Sequence, residues 1–137
     1  MTLRLHVQIV GALLLSLGLL HAFFNRYFGW DKELASISVL TRRIFFVHSF
    51  FIGLSLVMMG AGSIFCVDAL LQPSQLSRVL LAGLAVFWSC RLVTQLFVYE
   101  PAIWRGRGFY TVMHVAFSIL WVYVVAVYGL ALRAVLR

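Results

Sequence analysis

Acidic side chains are scarce in this chain. Four Asp and Glu stand against eleven Lys and Arg in 137 residues, and none of the four lies inside a long apolar run. That argues against a carboxylate di-iron centre, which needs glutamates projecting inward from facing helices. Cysteine is equally sparse. Cys66 and Cys90 form no C-x-x-C pair, and in apolar surroundings each thiol behaves as a small hydrophobe. A disulfide between them stays open, and two cysteines fix no redox compartment. Signatures of nucleophilic catalysis and nucleotide binding are absent: there is no G-x-S-x-G, H-E-x-x-H, P-loop or dinucleotide fingerprint. Arg105-Gly106-Arg107-Gly108 is too short for a phosphate loop and reads as a basic turn. No internal repeat or low-complexity stretch occurs.

What the chain has instead is apolar surface. Hydrophobic residues make up 64% of it and charged residues 11%, with a mean hydropathy of +1.03. No soluble domain of this length could bury so much, so lipid is the expected solvent and partner. The net charge of +7 is spread singly or in pairs at the ends of apolar runs rather than on one basic face. It therefore serves anchoring and orientation, not nucleic-acid binding.

Four apolar runs, about 5–24, 44–66, 78–99 and 109–133, are each long enough to cross a bilayer at 1.5 Å per residue. The first has a short basic start but no small-x-small cleavage site after it; Phe23, Phe24, Asn25 and Arg26 follow, so it reads as a retained span. In it Gly11, Gly18 and His21 share a stripe that suits close packing. Residues 25–43 predict a short interfacial helix with Asp31 as cap, an apolar side of Leu34, Ile37 and Leu40, and headgroup-level Tyr27 and Trp30. The second span carries His48 on a stripe with Ile52, Ser55, Met59 and Gly62, small residues again favouring close approach. Ser74 is the expected N-cap of the third span, which Pro101 closes. The fourth has a stripe of Tyr110, His114, Ser118 and Trp121. The predicted fold is all-α: one integral membrane domain, a four-span, up-and-down transmembrane helical bundle.

The third span holds the anomaly. Arg91 and Gln95 lie one turn apart on one helix face, in a segment whose other residues suit lipid. A guanidinium there costs about 3 kcal/mol by insertion scales and more in simulations. In an up-and-down arrangement His21, His48, Gln95 and His114 fall within about one helical turn of the same depth, with Arg91 one turn deeper. His6 lies at the opposite face. Each residue has an ordinary reading: an interfacial hydrogen bond for a lone histidine, snorkelling or a grip on Glu100 for Arg91, interhelical glue for Gln95. The coincidence of three histidines on three spans points further, to a polar site.

Several occupants fit such a site. One is haem b held by His48 and His114, with Arg91 or His21 toward the propionates or a quinone and Gln95 in support. Against it, Arg91 lies deeper than the histidines, and propionates usually face water. Another is a transition metal held by His21, His48 and His114 with an open fourth position. A third has no cofactor: the histidines and Arg91 bind an anionic or quinone-like hydrophobic molecule, or carry protons. A reading of another class makes the chain a structural or assembly subunit of a larger membrane complex, or a homo-oligomer, its polar layer fixing helix registry. Whether the chain is an enzyme is open at this point. A bacterial-type inner membrane is the expected setting. The connections after spans one and three carry Arg26, Lys32, Arg42, Arg43, Arg105 and Arg107; the opposite side has Arg4, Arg78, Arg133 and Arg137. The positive-inside bias then places both termini outside the cytoplasm.

Overall fold

A computed structural model describes residues 2–137, apart from the side chain of Asn25. The chain is all-α. Four long helices, α1 (Leu3–Phe28), α3 (Val39–Phe65), α5 (Gln75–Phe97) and α7 (Gly108–Leu136), alternate with single turns: α2 (Trp30–Glu33), α4 (Val67–Leu70) and α6 (Pro101–Trp104). Each long helix contains a stretch long and apolar enough to cross a membrane. The predicted spans are thus found: α1 and α7 run past both ends of theirs, while α3 and α5 start earlier and stop one and two residues sooner. Helical backbone continues through the polar flanks because water or headgroups there satisfy the terminal N–H and C=O groups as well as lipid-buried bonds do.

Local chemistry explains the boundaries. The α1–α3 connection turns at Gly29, whose φ of 66° is a left-handed conformation that glycine adopts without penalty. Gly29, not Asp31, is the residue that precedes α2; Asp31 and Glu33 lie within its single turn. The expected interfacial helix is accordingly short, followed by a 3₁₀ turn over Leu34–Ser36. Leu40 belongs to α3 instead, because Ser38 caps that helix by accepting from the Thr41 N–H at 3.2 Å. Ser74 caps α5 as predicted, in a reciprocal capping box with Ser77. After α5 ends at Phe97, Pro101 opens α6 at the first helical position, where its missing N–H costs nothing.

The chain divides into two compact units, Gln8–Val67 and Asp68–Arg137 with the first turn of α1. In the Gln8–Val67 unit α1 and α3 are antiparallel. A Cβ placed on Gly11 would come within 2.8 Å of the Gly60 carbonyl oxygen, and one on Gly18 within 2.8 Å of the Gly53 oxygen. Matching steps of seven residues on both helices keep one seam in register, the period of a left-handed crossing. In the Asp68–Arg137 unit α5 and α7 are antiparallel too, but large side chains mediate. Trp88 stacks on Trp121 with ring centroids 4.9 Å apart, and both are buried. Glycines play no part there: nothing lies within 4 Å of a Cβ on Gly83 or Gly129.

Candidate functional site

The site residues of the sequence fall into two groups, one in each unit. His21 and His48 belong to the Gln8–Val67 unit; Arg91, Gln95 and His114 belong to the other.

In the glycine-seamed unit, His21 lies on the seam. Its Cβ would touch a Cβ on Gly53 at 2.9 Å. Its ring is half-buried against Phe24, 4.5 Å between centroids, and its Nδ1–H donates to the Leu17 carbonyl at 3.0 Å. By the register of Gly18 with Gly53, His48 is within about one turn of His21 in depth, as predicted. Its direction differs from the prediction. Five residues before Gly53, His48 is turned roughly 140° around the helix from the seam. Its side chain is exposed, and its Nδ1–H donates to Ile44 O at 2.8 Å. The stripe of Ile52, Ser55, Met59 and Gly62 shares that outward face. Gly62 meets nothing within 4 Å, so the close approach belongs to Gly53 and Gly60 instead. The physical reason is geometric: two helices can share only one narrow seam, and backbone oxygens settle where no Cβ intervenes.

The second group converges. Gln95, buried in α5, donates through Nε2 to His114 Nδ1 on α7 at 3.0 Å, a specific pairing that the matched depths allowed and did not single out. An imidazole accepting at Nδ1 carries its proton at Nε2. The single turn of α6 then folds back so that Trp104 lies face to face on His114, 4.3 Å between centroids and 6° from parallel. Trp104 is itself pinned. Its indole N–H donates to the Tyr99 carbonyl at 3.3 Å, and its own carbonyl accepts from the Thr111 hydroxyl at 2.6 Å.

Arg91, one turn deeper, has no carboxylate partner among the described residues; the expected alternative, a grip on Glu100, does not form. Aromatic faces hold it instead. Its guanidinium carbon is 4.9 Å from the Trp121 ring centroid and 5.9 Å from that of Tyr99. Such contacts are strongest where water is excluded. One guanidinium nitrogen, Nη1, is buried without a hydrogen-bond partner, and so are the indole nitrogens of Trp88 and Trp121. All three are donors.

This layer therefore presents donors and π-faces and no carboxylate. It can accept a group rich in carbonyl or anionic oxygen and has little to hold a bare cation. Among the described residues no three His, Cys, Asp or Glu side chains come together as metal ligands. Trp88 and Trp121 were visible in the sequence only as packing, although Trp88 precedes Gln95 by seven residues and Trp121 follows His114 by seven. Trp104 gave no signal at all, since its place depends on the turn of α6. Compared with known protein families, curated proteins and solved structures, this integral membrane chain matches none.

Proposed function

We propose that this is a small integral membrane protein that binds a hydrophobic molecule bearing carbonyl oxygens, of the quinone class, at the Arg91–Gln95–His114 layer. The observation that carries the reading is the buried, unpartnered Nη1 of Arg91 beside a histidine whose Nδ1 is occupied by Gln95. An unsatisfied guanidinium donor in a lipid-embedded segment costs several kcal/mol. A carbonyl acceptor removes that cost, and the Nε2–H of His114 offers a second donor. Trp104, Tyr99 and Trp121 supply flat surfaces for a flat ring.

The test is saturable binding of a short-chain naphthoquinone to the purified protein in detergent. Three of the four tryptophans, Trp88, Trp104 and Trp121, line the layer, so quenching of their fluorescence reports occupancy. A charge-assisted hydrogen bond is worth about 1.5–3 kcal/mol, so Arg91→Met weakens binding by about tenfold or more. His114→Phe weakens it less. Quenching that never saturates, or that is equal in both variants and the parent, rejects the reading.

One observation favours a second reading. With the Gln95 amide turned end for end, Oε1 accepts from His114 Nδ1–H and Nε2 becomes a free lone pair, the arrangement of a metal-ligating histidine. His21 and His48, whose Nδ1–H groups are held by backbone carbonyls, present the same free nitrogen. Haem b ligated by His114 predicts a Soret band in the purified protein that disappears in His114→Ala.

A further inference from the structure

A separate concentration of charge lies at the far end of α7. Arg133 and Arg137, exposed and one turn apart, line an open depression of about 370 Å³ with Leu3, Leu130 and Ala134. Arg78 reaches the same end, where its Nε–H donates to the Val135 carbonyl at 3.0 Å. That bond satisfies one of the last carbonyls of α7 and offsets the negative end of the helix dipole. The nearby acidic side chain, Asp68, is already engaged by Arg4 at 3.1 Å. Arg133 and Arg137 are left without a carboxylate partner among the described residues. Four residues apart across the end of α7, whose last helical residue is Leu136, the two like charges repel.

An anion between them turns that repulsion into attraction, because two guanidinium forks match the geometry of one phosphate. We infer that this depression binds the phosphate headgroup of an anionic phospholipid, gripped by Arg133 and Arg137. Leu3 and Leu130 lie against the first methylenes of its acyl chains. The two leucines, and the position at the ends of membrane-spanning helices, favour a lipid over free phosphate. The inference is independent of the quinone reading, since it shares no residue with that site.

Native mass spectrometry of the full chain, with phosphatidylglycerol or phosphatidylcholine added to the detergent, tests it. Each arginine near a membrane surface contributes about 1 kcal/mol toward anionic lipid, or about fivefold in affinity. Bound phosphatidylglycerol should exceed phosphatidylcholine in the parent, and Arg133→Gln with Arg137→Gln together should weaken it about twenty-five-fold. Both side chains are exposed, so the fold should survive, as an unchanged melting temperature would show. Arg105→Gln with Arg107→Gln, the same loss of charge in the α6–α7 turn, should change the affinity by less than about twofold. Equal losses in the two double variants would mean only general attraction to net charge and overturn the site. Displacement of the lipid by millimolar inorganic phosphate would reassign the depression to free phosphate and overturn the lipid assignment.

Discussion

The two antiparallel pairs solve the problem of helix association in lipid by opposite means. Between α1 and α3 backbone meets backbone: carbonyl oxygens of Gly53 and Gly60 sit 2.8 Å from where a Cβ of the facing glycine would be. Between α5 and α7 the spacers are indole rings, an amide, an imidazole and a guanidinium. Lipid tails are as apolar as leucine, so burial alone holds neither pair together; contact area and hydrogen bonds must do so. The glycine seam maximises contact and leaves no room for a guest. The aromatic seam keeps larger side chains apart, and three of its donors have no acceptor. A seam tuned only for association would follow the first pattern, and the second is therefore where we propose that a ligand binds.

The largest test of that contrast is Gly60→Leu. Its Cβ would lie 2.6 Å from the Leu15 backbone nitrogen and 2.7 Å from the Gly11 oxygen, and backbone does not yield as a side chain does. Unfolding in mixed detergent micelles should show a loss of about 3 kcal/mol, in the upper range for overpacking. The near-ultraviolet signal of the α5–α7 tryptophans should persist at temperatures below the transition. A loss under about 1 kcal/mol would mean that the seam is not tight.

Next comes Trp121→Ala. Because lipid can solvate the exposed surface, the hydrophobic transfer loss shrinks; what goes is ring stacking and the desolvated cation–π contact with Arg91, about 2 kcal/mol together. A phenylalanine at 121 should restore part of it, whereas equal damage from both substitutions would remove the π-face from the account.

Gln95→Leu is expected to cost about 1 kcal/mol, within the range measured for interhelical hydrogen bonds in membranes. The double variant with His114→Phe should cost less than the two single losses added, since each single change orphans the other partner. Strict additivity measured by unfolding would show that the two side chains do not couple. The smallest effect is the control. Gly129→Ala, with nothing within 4 Å of the new Cβ, should be neutral or stabilise by up to about 1 kcal/mol through helix propensity. Marked destabilisation there would blur the distinction between the two pairs.

Much of this architecture is legible in the residues themselves. Hydropathy and length reveal the four spans and Ser74 the start of α5, while the hydrogen bond between Gln95 and His114 is one of several pairings their common depth allowed. The stripe of Gly11 and Gly18 marks the correct face of α1. The same reasoning misplaces the face of α3, choosing Ser55 and Gly62 over Gly53 and Gly60. Both stripes contain small residues at helical spacing, and one helix read alone has no partner to break the tie. His48 followed the wrong stripe for the same cause.

The sequence by itself determined the apolar character of the surface, the number of membrane-length helices and the position of each polar side chain along its own helix, because these depend on composition and on a rise of 1.5 Å per residue along one chain. Only the tertiary structure decided direction around each helix axis: that His48 turns outward, that Arg91 rests on Trp121 and Tyr99 rather than on Glu100, and that Trp104 covers His114. Azimuth is fixed by what the neighbouring helix offers, and no single segment carries that information.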